Sequence, residues 1–203
     1  MDLNNPMPKE WGEYVTQSPV GLEIIPDMLY DTETYTDNVT VRLVFFVDTE
    51  ANESLSNVRN GVLPNPQSFL AQAVRILYRT TVQTDDAGAA GAFASQMNDI
   101  VLLTNTGILS LKIGEKIYGP WPLWMIPSGS FVQGALSAAG GEAANLVHDY
   151  AQVKGSIWEL VPNLMLAPLQ NFEARITWPA AVNLTGDVDI QLVLEGQRAR
   201  AIQ

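Results

Sequence analysis

The sequence predicts an all-β sandwich of about eight antiparallel strands, preceded by an irregular N-terminal arm and carrying one short helix. Three observations lead there. Ile108 to Ile113 alternates with period two, placing Leu109, Leu111 and Ile113 on one face and Ser110 and Lys112 on the other, as a half-buried strand does. Seven or eight such segments lie between Val39 and Leu194, each closed by Pro, Gly or Asn. The chain has 203 residues, 47% hydrophobic and only 16% charged, so it can bury one substantial core and has no disordered composition.

Residues 1–37 read as the arm, with Pro6, Pro8, Pro19 and Pro26 among scattered acids, and residues 38–203 as one sandwich domain. Val39 to Val47 is rich in β-branched and aromatic residues and apolar on both faces, which suits a central strand. A loop with Pro64 and Pro66 precedes a long strand from Phe69 to Val82, in which Leu70, Val74, Ile76 and Tyr78 alternate against Arg75 and Arg79. Asp85 to Ala92 has little side chain to pack and reads as a flexible loop. Ile100–Thr104, the turn at Asn105-Thr106-Gly107 and Ile108–Ile113 then suggest a hairpin. From Ile117 the chain runs to a corner or edge holding Pro120, Pro122 and Pro127, because proline cannot donate to a ladder. Glu142 to Ala151 is expected to be the short helix, carrying Leu146, Val147 and Tyr150. Strands resume at Ser156–Leu160, Leu164–Leu166, Phe172–Trp178 and Val188–Leu194.

Composition excludes several functions. No cysteine is present, which removes disulfides, thiolate metal sites and cysteine nucleophiles. The net charge of −11 is concentrated at the start: residues 1–60 hold 11 acidic and 3 basic residues, net −8. Such an end repels phosphate backbones, and direct nucleic-acid binding is disfavoured. No apolar run is long enough to span a bilayer and the first residues lack signal-peptide character, so synthesis in the cytoplasm is expected.

No constellation of residues points to chemistry, and no cofactor or metal is expected. His148, beside Asp149, is the single histidine, and no Gly-x-Ser-x-Gly elbow accompanies it. Asp85-Asp86 and Asp187/Asp189 invite a calcium or glycosidase reading but lack the glycine and glutamate of a calcium loop, and solvated loop charge explains them better. Trp121, Trp124, Trp158 and Trp178 suit either a sugar-stacking platform or burial in a core or intersubunit seam, the latter favoured. Arg75, Arg79, Arg175, Arg198 and Arg200 are candidates for holding a neighbour's acidic arm. The contacts expected between copies are therefore Trp121, Trp124, Arg75, Arg79, Arg198 and Arg200.

Several segments together resemble viral jelly-roll coat proteins. They are Leu63-Pro64-Asn65-Pro66 before a strand, Gly107 to Gly114, the Pro122 to Pro127 corner, Leu166-Ala167-Pro168 before Phe172, and the closing Leu192 to Gly196. The likeness spans about residues 38–196 and is one of strand count, spacing and corner chemistry. The nearest group is the capsid proteins of tailless icosahedral bacteriophages and archaeal viruses, including those with an internal membrane. It implies a single jelly roll that assembles into a virion shell, with other copies of itself, other capsid proteins and an underlying viral membrane as partners. No residue performs catalysis in that role. A carbohydrate-binding module, or a phage fibre or adhesin head, is the alternative.

Overall fold

The computed structural model describes residues 22–48, 55–80, 89–126, 130–138, 146–154 and 157–201. In chain order the elements are β1 (Leu22–Tyr35), β2 (Arg42–Phe45), β3 (Ser68–Thr80), α1 (Ala89–Thr106), β4 (Ile108–Ile113), β5 (Lys116–Pro122), a 3₁₀ turn (Leu123–Met125), β6 (Ser130–Ala138), β7 (Leu146–Lys154), β8 (Trp158–Leu166), β9 (Phe172–Thr177) and β10 (Val188–Ala201). Among the described residues, eight strands form two four-stranded sheets, ordered β1-β10-β3-β8 and β2-β9-β4-β5, while β6 and β7 pair only with each other. The protein is an all-β sandwich.

The pairings are nested. β1 pairs with β10, β2 with β9, β3 with β8 and β4 with β5, all antiparallel. First joins last, second joins second-to-last, and so inward, as in one long antiparallel ribbon. Two further ladders, β10 to β3 and β9 to β4, close the coils of that ribbon into sheets.

Between the sheets lies one core. Leu29, Phe69, Val74, Ile76, Leu166, Ile190, Leu192 and Leu194 from one sheet face Leu43, Phe45, Leu109, Leu111, Ile113, Phe172, Ala174 and Ile176 from the other, all buried. The strict alternation in β4 and β9 is what puts Leu109, Leu111, Phe172 and Ile176 inward, as their periodicity predicts.

Several local expectations are corrected. Leu22 to Tyr35, expected within an irregular arm, is a 14-residue strand paired along its whole length with β10. Its alternation was hidden because the inward positions include Asp31 as well as Leu29 and Tyr35, and because Pro26 argued against a strand; an edge strand tolerates both. The strand expected over Val39–Val47 keeps only four residues. Val39 and Val41 are exposed, and Phe46 ends the strand at a φ of 70°.

Ala89–Ala92 and Ile100–Thr104, expected as loop and strand, belong to α1. Alanine has the highest helix propensity, and Asp99 and Leu103, four residues apart, form the buried face while Val101 and Leu102 are exposed. Over Leu146–Ala151 the expected helix is instead part of β7, in register with β6 from Ser130↔Lys154 to Ala138↔Leu146.

Leu70 does not share a face with Val74. An extra residue between Ala71 and Ala73, opposite the consecutive Glu195 and Gly196 of β10, rephases the strand. Leu70 is consequently buried on the far side of the sheet, with Ala199, Ile24 and Met165.

Candidate functional site

Among the described residues, side chains able to bind something lie on the outer face of the β1-β10-β3-β8 sheet, at the seam between β1 and β2, and at the corner where α1 meets β4.

On the outer sheet face the arginines find acids of their own chain. Arg200 lies directly opposite Glu23 across the β1–β10 ladder and its Nε is 2.9 Å from the carboxylate. Arg198 reaches Asp27, two residues along the same ladder, at 2.6 Å and also donates to Gln67 at 3.3 Å. Arg75 pairs with Glu195, and on β9 of the other sheet Arg175 pairs with Glu173. Glu23 and Asp27, two acids of the expected arm, are thus used within the chain, because residues 22–35 form a strand beside β10, while residues 1–21 lie outside the described residues. Arg79 is exposed and makes no ion pair among the described residues. It borders a shallow open groove of about 300 Å³ lined also by Met28, Tyr30, Leu77 and Gln191.

The seam holds three carboxylates that sequence reading missed. Asp31 and Glu33 on β1 and Asp48 just beyond β2 bring one oxygen each within 4.8 Å of the others. Asp31, 1% exposed, accepts the backbone N–H of Thr32 at 3.0 Å and that of Phe46. Burial pushes the Asp31 carboxyl up against the opposing pull of these bonds and of Ser56. Burial also pushes Glu33 up, to about 7, with the charges of Asp31 and Asp48 adding to the effect. The three have the oxygen chemistry of a hard divalent cation's ligands. The alternation Asp31-x-Glu33 was the available signal, and it carries meaning only once residues 22–35 are known to be a strand.

Other acidic candidates have structural duties. Asp187 accepts the backbone N–H of Asp37 at 2.9 Å and Asp189 the hydroxyl of Thr34 at 2.7 Å, so this pair ties β10 to β1. Asp85 and Asp86 lie outside the described residues. His148 sits on β7 opposite Leu136, on a strand and not on the expected helix.

The tryptophans divide. Trp178 is buried, with its indole N–H donated to the carbonyl of Leu103 at 3.1 Å and its ring edge-on to Tyr35 at 4.8 Å. Trp121 and Trp158 are half-buried against the core. Trp124, on the 3₁₀ turn, is 62% exposed. Around it the corner is rigidly built: Leu123 N–H donates to Gly107 at 2.9 Å, and buried Asp99 of α1 accepts from the backbone of Thr185 at 2.9 Å.

Among the described residues no helix is long and apolar enough to cross a membrane. Fold and surfaces together define a two-sheet antiparallel sandwich whose distinctive side chains lie on outer faces and at a corner. Comparison with protein-family models, with curated proteins and with solved structures finds no match to this chain.

Proposed function

We propose that this chain is a structural virion protein, a single jelly roll that self-assembles as a subunit of an icosahedral capsid. The observation that carries the reading is the nested pairing of eight strands, first with last, rolled into two four-stranded sheets. A jelly roll is such a rolled ribbon, two Greek keys forming a double sheet, and it is the architecture of viral coat, lectin and cupin domains. The single histidine of the sequence argues against the cupin branch, whose metal is held by several. Its partners in this reading are other copies, other capsid proteins and, beneath the shell, a viral membrane, and its location is the virion.

Light scattering on the purified protein, combined with negative-stain microscopy, tests the reading. Discrete homo-oligomers or closed particles are expected at high concentration. A strict monomer across a wide range of salt and pH overturns it.

One observation favours a second reading, a carbohydrate-binding module or a phage fibre or adhesin head. Trp124 presents its indole to solvent, as a sugar-stacking platform requires. Titration with a panel of glycans, followed by tryptophan fluorescence in the parent and in Trp124→Phe, separates the two: saturable quenching lost in the variant supports the binding module, and an unchanged spectrum rejects it.

A further inference from the structure

Among the described residues, each of the four edges of the two large sheets is short or interrupted by proline. Edge strand β1 contains Pro26, β5 contains Pro120 and Pro122, β8 contains Pro162, and β2 is only four residues long. Proline offers no N–H to an incoming ladder, and a short edge gives it little to pair with. These features disfavour extension of either four-stranded sheet by a strand from another copy and leave side chains as the contact.

Net charge restricts where that can happen. Copies carrying −11 each repel one another except where their facing surfaces are uncharged. The corner where α1 meets β4 is one place that meets this condition. Between Asn98 and Leu111 the sole charged residue is Asp99, which is buried and bound to Thr185, and between Gly119 and Ile126 there is none. At this corner five apolar side chains are 37% to 62% exposed: Val101 and Leu102 on α1, Ile108 at the start of β4, and Trp124 and Met125 on the 3₁₀ turn. Their positions are fixed from beneath, since Leu103 is fully buried and accepts from Trp178, and the 3₁₀ turn is bonded to Gly107.

Together the five expose roughly 500 Å² of apolar surface, at the upper range of what a monomer leaves uncovered. A stable interface buries about 800 Å² per partner, of which a little over half is apolar, so the patch matches the apolar share of one such contact. We propose that Val101, Leu102, Ile108, Trp124 and Met125 form the contact with a second copy of this chain, with Trp124 as its anchor. This inference rests on the coat-protein reading. It adds to it the place of the contact and its mode, side chain against side chain without extension of either sheet. A large amphipathic ring at the centre of a low-charge patch is the kind of residue on which binding energy concentrates.

Sedimentation velocity over a range of concentrations tests the proposal with the parent chain, Trp124→Glu, Val101→Glu and, as a control, Ile117→Glu. Ile117 is more exposed than Trp124 but lies at the opposite end of β5. All three sites are at the surface, so circular dichroism and melting temperature should stay at parent values. Loss of about thirtyfold or more in self-association for Trp124→Glu and Val101→Glu, with Ile117→Glu unchanged, is the expected result. If the parent associates and Trp124→Glu associates equally well, or if Ile117→Glu weakens assembly as much, the interface is elsewhere and the coat-protein reading stands without it. A parent chain that never associates overturns both.

Discussion

The backbone carbonyl of Leu70 occupies the space that a side chain at Gly196 would need. Gly196 pairs with Ala71, the neighbour of Leu70, where the extra residue Gln72 on β3 shifts the register of the ladder. This close approach turns Leu70 to the outer side of the sheet and keeps Val74 and Ile76 in the core.

Gly196→Ala is accordingly expected to destabilise the protein by about 1–3 kcal/mol or more, since the group in the way is backbone and cannot rotate aside. Gly186→Ala is the control. Nothing lies within 4 Å of its added methyl, and a change within about 0.5 kcal/mol is expected. Urea unfolding of both variants checks this, and equal midpoints would remove the bulge argument.

Trp178 fastens α1 to the sandwich through Leu103, with the bond between Thr104 and Tyr78 at 3.1 Å beside it. Trp178→Phe keeps most of the ring burial and loses the donated hydrogen bond, for a cost of about 1–2 kcal/mol. Trp178→Ala should cost about 3–5 kcal/mol. Hydrogen exchange should show the Phe variant loosening first in the last turns of α1, while β4 and β9 keep parental protection.

Glu33 makes stability depend on pH. The folded chain holds its proton up to about pH 7, whereas the unfolded chain releases it near the ordinary value of 4.5. Between those values only the folded state binds the proton, so this contribution is complete below about 4.5 and is lost as pH rises through 7. Burial raises the Asp31 carboxyl as well, so its effect on stability has the same sign. Melting temperature should therefore be higher at pH 5.5 than at 7.5, and Glu33→Gln should raise it at 7.5 and flatten the slope. An identical slope in parent and variant would contradict the assignment.

The outer ion pairs should matter little to folding. Arg200 and Glu23 are each about half exposed, and pairs of that kind contribute about 0–1 kcal/mol. Arg200→Ala, measured by thermal denaturation, should fall within that range, with a smaller difference in high salt.

The strands readable in advance are those with one apolar and one polar face. β4 and β9 alternate because one side meets the core and the other is more open to water, and their residues record both solvents. β1 was obscured by carboxylates on its inward side at the open edge of the sandwich, where Asp31 is satisfied by the N–H groups of Thr32 and Phe46. α1 was obscured because its exposed Val101 and Leu102 adjoin buried Leu103, a run that fits a strand as well as a helix. Of the candidate contact residues, Trp124 is at the surface. Arg75, Arg198 and Arg200 have partners within the chain that no local pattern could reveal, since Glu23 and Arg200 are 177 residues apart.

By itself, then, the sequence determined the two-sheet class, the inward faces of its central strands and the absence of thiol chemistry, because burial and composition act on each residue locally. Only the tertiary structure decided which strand lies beside which, that Asp31, Glu33 and Asp48 meet at one seam, and that Trp124 stands in solvent while Trp178 is enclosed. These are relations between distant segments, fixed by long-range pairing and by bulges that shift register. Periodicity along the chain carries no record of either.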